Sequence, residues 1–142
     1  MYAVRLSWIA LMSCFLATSG CSTGEPPLGT ATGRVTYLGE AVTEGCVIFT
    51  DNARGAAYVA PLDADGKFEL QVARGLGVPP GKYVVTITPP QATPSLDPMK
   101  NLSGPSNKEY KNIPMKYRDE KTSGLEAVVV SGANNPFDFD MK

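Results

Sequence analysis

The chain has 142 residues, with 13 Lys and Arg against 14 Asp and Glu, a formal net charge of −1 and no histidine. Charges of both signs are spread along it without a basic patch, which argues against nucleic acid as a partner. The missing imidazole removes the commonest general base and transition-metal ligand, and with it the usual serine-hydrolase triads and His-ligated zinc sites.

The first element is apolar. Arg5 precedes the run from Leu6 to Ala17, after which Thr18-Ser19-Gly20-Cys21 closes the segment. As a helix the run would span roughly 18 Å, at about 1.5 Å per residue. A bilayer core of about 30 Å needs about 20 apolar residues, so the run is short for a permanent transmembrane helix. It fits the hydrophobic region of a secretory signal, with Arg5 as its cationic flank.

Cys21 extends that reading. Small residues before a cysteine, here Ser19 and Gly20, resemble the lipobox of bacterial lipoproteins; Thr18 stands where that family more often has leucine. The resemblance implies cleavage between Gly20 and Cys21, a diacylglycerol on the Cys21 thiol, and Cys21 as the new N-terminus. The competing reading is an ordinary signal peptide with a chance cysteine. Each buried CH₂ contributes about 0.8 kcal/mol, so two acyl chains hold durably where one binds only marginally. Residues 1–20 are then a signal peptide, and the roughly 120 that follow suit one domain. Ser22 stands where an aspartate favours inner-membrane retention in some bacteria. The resemblance therefore implies an exported, lipid-anchored protein of the cell envelope, with the outer membrane favoured over the inner.

Residues 21–30 read as a flexible tether, broken by Gly24, Pro26, Pro27 and Gly29. From residue 31 to 142 the period is two. Arg34-Val35-Thr36-Tyr37 alternates, and Gly39-Glu40 turns the chain. Cys46-Val47-Ile48-Phe49 is apolar on both faces and predicts a central strand. Asp51 to Gly55 is a loop, and Ala57 to Ala60 a weaker strand that Pro61 ends or places at an edge. Asp63-Ala64-Asp65-Gly66 is a turn. The strand from Lys67 to Val72 follows, with Phe68, Leu70 and Val72 on one face. Pro79-Pro80-Gly81 leads into Tyr83 to Thr88, and Glu126 to Val130 and Phe137 to Met141 are the last strands.

One stretch breaks the rhythm. Residues 89–112 hold five prolines and little apolar content, which predicts a long loop, either binding or decorative. Ile113 to Tyr117, together with Tyr110, would bring the chain back to the body.

Short strands bounded by Gly, Pro, Asn and Asp, without a sustained helical period, predict an all-β sandwich. Gly33-Arg34-Val35-Thr36-Tyr37, Gly39-Glu40-Ala41-Val42, Val47-Ile48-Phe49, Asp65-Gly66-Lys67-Phe68 and Pro80-Gly81-Lys82-Tyr83-Val84-Val85 resemble the carboxypeptidase regulatory-like, or transthyretin-like, domain. Ile113-Pro114 with Tyr117, and Ser123-Gly124-Leu125, are similar to segments of bacterial lipoproteins carrying such domains. The resemblance implies about seven antiparallel strands in a β-sandwich. Its turn chemistry predicts positive φ at Gly66 and, in a type II turn after Pro80, at Gly81. In the parent carboxypeptidases the domain is an accessory to a zinc catalytic unit. This sequence has no such unit and no zinc ligand set. The implied role is a non-catalytic structural or binding module.

Individual residues add little chemistry. Asp63-Ala64-Asp65-Gly66 could begin a calcium loop, but the twelfth position from Asp63 is Arg74, a cation, so a plain turn is expected; a weak calcium site built from several loops stays open. Asp138 and Asp140 alternate with Phe137 and Phe139, which predicts a solvated strand face. The run from Lys116 to Lys121 is expected to be a solvated loop. Tyr37, Tyr58, Tyr83, Tyr110 and Tyr117 could stack sugars if they shared an exposed face, though core packing is the default. Of the three cysteines, Cys14 leaves with the signal and Cys21 is lipidated. Cys46 is then expected to be a small buried hydrophobe. A Cys21–Cys46 disulfide requires that lipidation not occur. No catalytic residue, cofactor or metal ligand is expected. The expected function is a membrane-anchored structural or binding module of the envelope, with a protein or glycan partner. The alternative is a carbohydrate- or peptidoglycan-binding module.

Overall fold

Alternation of buried and exposed residues sets the architecture of the computed structural model, which describes residues 24–73, 75–90 and 109–142. Ten strands run in chain order: β1 (Thr30–Tyr37), β2 (Glu40–Ala41), β3 (Cys46–Asp51), β4 (Ala56–Pro61), β5 (Lys67–Glu69), β6 (Gln71–Val72), β7 (Gly75–Leu76), β8 (Gly81–Thr88), β9 (Leu125–Val129) and β10 (Asn134–Met141). One four-stranded sheet has the order β4-β3-β8-β9 and is antiparallel throughout. In the other, β1 pairs with β10 along one edge and with β2 and β5 along the other. A small hairpin, β6–β7, stands beside them.

The described residues are mostly β, but not purely antiparallel. β10 lies parallel to β1, with Thr30 opposite Asn134 and Tyr37 opposite Met141. A parallel pair needs a long crossover connection. Here the whole β4-β3-β8-β9 sheet lies in the connection, so the last strand returns beside the first in the same direction.

β3 is an interior strand, as its two apolar faces predict, lying between β4 and β8. β4 is the edge strand that ends on Pro61. The predicted strand from Lys67 to Val72 keeps its alternation but divides at Leu70. Its N–H donates to Ala31 O, and its carbonyl accepts from Gly77 N. β5 therefore stays with β1, while β6 turns away to pair with β7. Gly66 has φ +72, as its turn requires. Gly81 does not adopt the reversed φ expected after Pro80, because it already begins β8. Its missing side chain instead makes room for a guanidinium: a Cβ there would lie 3.2 Å from Arg54 Nη1.

Both sheets turn aromatic side chains to one core. Phe49 of β3 has ring centroids 6.0 Å from Phe68, 5.6 Å from Phe137 and 6.2 Å from Phe139, all three on the opposite sheet, and 5.7 Å from Tyr83 on its own. Val35, Val47, Val85, Ile87 and Met141 are fully buried around them. At one end, Ile113 and Tyr117 join the same core from the segment that precedes β9.

Candidate functional site

Gly20 and Cys21, the predicted cleavage and lipidation residues, lie outside the described residues. What is described is the place where the chain from Cys21 joins the domain. Residues 24–27 are exposed. Contact begins at Pro27, whose carbonyl accepts from Ser131 Oγ at 2.9 Å. Leu28 O accepts from Gly132 N at 3.2 Å, and Gly29 and Val78 exchange N–H···O bonds of 3.0 and 2.9 Å. Gly29 has no room for a side chain, since a Cβ would lie 2.2 Å from Val130 O. The last four residues of the predicted 21–30 tether, 27–30, thus contact the body, and Thr30 already belongs to β1.

Asn135 locks this end. Its Nδ2 donates to the carbonyls of Thr30 at 3.0 Å, Val130 at 3.3 Å and Ala133 at 3.1 Å, while its Oδ1 accepts from Val130 N at 3.0 Å. The residue is 8% exposed. One side chain therefore ties the start of β1 to the β9–β10 turn. No motif in the sequence singles it out; the one available signal is an Asn-Asn-Pro triplet at the mouth of a strand.

The other candidates are structural in their contacts. Asp63 Oδ1 accepts from Asp65 N at 2.9 Å and Lys67 N at 2.8 Å, closing the expected turn. The Lys67 N–H does most to hold its carboxyl below the usual range, against some desolvation and with help from the Asp65 N–H and the Lys67 and Arg34 charges. Among the described residues no group of three His, Cys, Asp or Glu side chains is placed to hold a metal ion. Asp138 and Asp140 face solvent, and Asp140 accepts from Thr36 Oγ1 at 2.9 Å. All five tyrosines considered for sugar stacking pack in or on the core.

The charged run from Lys116 to Lys121 is largely solvent-exposed, as expected, but it is not a loop. It forms a 3₁₀ turn, Met115–Arg118, and a single helical turn, Glu120–Ser123, capped by Asp119. Tyr117 is buried beneath Lys116, whose Nζ is 4.6 Å from the ring centroid, and its hydroxyl accepts from Lys142 N at 3.0 Å. That N–H is the main cause of a lowered Tyr117 hydroxyl pKa; burial opposes it, and Lys116 assists. Arg118 donates to Ile113 O from Nε at 2.9 Å and from Nη2 at 2.6 Å, and to Tyr110 O at 3.1 Å. Eight residues are too few to display a helical period, so charge alone governed the sequence expectation.

Cys46 is half-buried and free, and it faces out of the β4-β3-β8-β9 sheet rather than into the core. Val47, Phe49 and Asp51 take the inward positions of β3. The thiol lines an apolar surface groove of about 510 Å³ with Thr43, Ile48, Val59 and Pro61. Burial raises its pKa, which keeps it protonated and a poor nucleophile.

A hydrogen-bonded network at the start of β8, centred on the buried Asp51, carries no sequence motif. Asp51, 3% exposed, accepts from Ala53 N at 3.0 Å, Arg54 N at 3.1 Å and Arg54 Nη1 at 2.7 Å. Arg54 also donates to Pro80 O, at 3.2 and 3.1 Å. Burial alone would raise the Asp51 pKa; the hydrogen bonds and charge of Arg54, with the Ala53 N–H, outweigh it and hold the carboxyl below its usual range.

Next to it the fully buried Tyr83 donates its O–H to Pro79 O. Burial first, then the Tyr58 and Asp51 charges, push its pKa up to about 12 against the pull of Arg54. In an unfolded chain tyrosine titrates near 10, so between about pH 10 and 12 only the unfolded form releases this proton. Stability present below pH 10 is then lost as pH rises towards 12. At about 1.36 kcal/mol per unit, the loss from this group is roughly 2–3 kcal/mol. Urea midpoints measured across that range should fall more steeply for the wild type than for Tyr83→Phe. Equal slopes would refute the assignment.

No protein-family model matches the chain, and no curated protein matches it.

Proposed function

We propose that the chain is an exported cell-envelope lipoprotein whose β-domain, a transthyretin-like sandwich, acts without catalysis as a structural or binding module at a membrane surface. The observation that carries this reading is the apolar run from Leu6 to Ala17 that ends on Ser19-Gly20-Cys21. The docking of the chain from Pro27 onwards is consistent with it, because it leaves Cys21 a short distance from a firmly held start of β1. The Phe49 contacts between the sheets support the sandwich. The absence of histidine from the sequence and the internal pairing of Asp51, Arg54 and Asp63 support a non-catalytic role. Ser22 favours the outer membrane. The partner is an envelope protein or a glycan. A sugar-stacking site built from the tyrosines has less support, since all five pack against the core.

The test is Cys21→Ser in the full chain, expressed in a bacterial host with a labelled fatty acid. The wild type should take up label and sediment with membranes. The variant should lose the label and be recovered uncleaved or in the soluble fraction. Equal labelling and sedimentation of both would overturn the lipoprotein reading.

A further inference from the structure

We infer that the end of the domain where the tether docks lies against a phospholipid bilayer, with Leu76 and Val130 seated in its interfacial layer. This rests on the lipid-anchored reading of Cys21 and adds to it an orientation and a contact surface.

Chain length sets the first constraint. Pro27, where the chain becomes fixed to the body, lies six residue steps beyond Cys21. Fully extended they reach about 20 Å, and as a flexible coil roughly 14 Å. With Cys21 at the membrane, the docking end cannot stand farther off than that. The other end lies about 25 Å from it, along the eight residues of β1 and the parallel β10.

The surface at the docking end is the second observation. Leu76 and Val130 are 53% and 56% exposed. Both lie beside the docked tether: the Val130 carbonyl packs on Gly29, and Gly77, the neighbour of Leu76, packs on the Gly29 carbonyl. Scattered exposed apolar residues are ordinary and need no explanation. These two differ in flanking the point where the anchor would arrive. Among the described residues, Arg54 and Lys82 beside β8 are paired, with Asp51 at 2.7 Å and Glu126 at 2.9 Å. The contact inferred is the apolar one, through Leu76 and Val130. Two side chains would not bind a membrane alone, but the anchor makes the contact intramolecular, and a short linker raises its effective concentration to about the millimolar range.

The only tryptophan of the chain is Trp8, inside the predicted signal, so the processed protein offers a tryptophan-free background. Leu76→Trp, Val130→Trp and, at the far end, Met115→Trp (Met115 is 72% exposed) are expressed as full chains and purified from membranes. Each is reconstituted into phosphatidylcholine vesicles with and without brominated acyl chains, and Cys21 acylation is measured by mass on the same samples. Leu76→Trp and Val130→Trp should emit to the blue and lose about half their emission to the bromines, since a side chain seated about 5–10 Å into the interface lies within their reach. Met115→Trp should be unaffected. Quenching should persist in about 1 M salt, where the Debye length is about 3 Å. Acylated protein with all three reporters unquenched, or quenching lost at high salt, overturns the inference alone. An unacylated Cys21 overturns the anchor reading and the inference with it.

Discussion

Phe49→Ala is expected to lower the stability of the domain by about 3–5 kcal/mol, the range for emptying a buried aromatic site. Phe49 is fully buried on the inward face of β3 and touches rings from both sheets. Its removal takes away the transfer free energy of the ring and leaves a cavity bounded by Phe68, Tyr83, Phe137 and Phe139. Phe137 and Phe139 stack with planes 4° apart, and Phe68 and Phe139 with planes 14° apart. Such an array has little freedom to collapse into the space, which places the cost towards the upper part of the range. A small domain has about 5–15 kcal/mol in total, so the variant should be marginal. Urea unfolding gives the measurement: with a slope of about 1–3 kcal/mol per molar, the midpoint should fall by at least about 1 M. Val59→Ala, at a site 54% exposed on the outer face of β4, is the control and should move stability by no more than about 0.5 kcal/mol. A Phe49→Ala loss no larger than the control's would mean that the two sheets do not share their core through this ring.

The residues on which that result depends were largely legible in the sequence. Phe68, Leu70 and Val72, or Phe137, Phe139 and Met141, announce their face by strict alternation, because the side-chain period of a strand is two. Cys46 to Phe49 announces an interior strand by being apolar throughout, and the Asp63–Gly66 turn announces itself by residues that close it with their own side chains. Partners distant in the chain were not legible. Nothing near Thr30 or Asn134 indicates that they lie side by side in a parallel pair, since a parallel pairing has no hairpin to mark it. Gly81 shows the weakness of local rules: a Pro-Gly dipeptide predicts a turn, yet the glycine is needed for the space Arg54 occupies. Cys46 was expected to be buried from hydrophobicity alone, which cannot tell which of two apolar strand faces the core covers.

The candidate site was legible as a pattern and not as a place. Cys21 is marked by what precedes it, whereas the docking of Pro27, Leu28 and Gly29 depends on Val78 and on the β9–β10 turn. Arg118 was read as part of a charged run, although its guanidinium is spent on two backbone carbonyls. For Arg118 and for residues 27–29 alike, tertiary contacts decide what the side chains and backbone do.

Asn135→Asp should be the most damaging conservative substitution at the docking end, costing about 3–5 kcal/mol at neutral pH, as an uncompensated buried charge does. The side-chain orientation is fixed by its partners. Oδ1 meets the Val130 N–H, so Nδ2 must be the atom facing the carbonyls of Thr30, Val130 and Ala133. In the aspartate a second oxygen takes the place of that donor, 3.0–3.3 Å from three carbonyl oxygens. Ionised, it repels all three; protonated, it donates to one. The folded state therefore raises the pKa of the new carboxyl above the value of about 3.9 for an unfolded aspartate. The sign follows from linkage. The charge penalty is absent below the unfolded pKa and grows as pH rises through the window up to the folded pKa. Relative to wild type at each pH, Asn135→Asp should recover as pH falls towards 4, whereas Asn135→Ala, which loses the same bonds without adding charge, should show a pH-independent deficit. Thermal or urea unfolding of the three proteins from pH 4 to 8 measures this. Parallel curves for the two variants would mean that the Asn135 amide does not face the three carbonyls. The same substitution has a local effect, because Asn135 fixes the start of β1 against the β9–β10 turn on which residues 27–29 pack. A chain that unfolds locally there should show raised amide exchange at Thr30 and Ala133 before global unfolding.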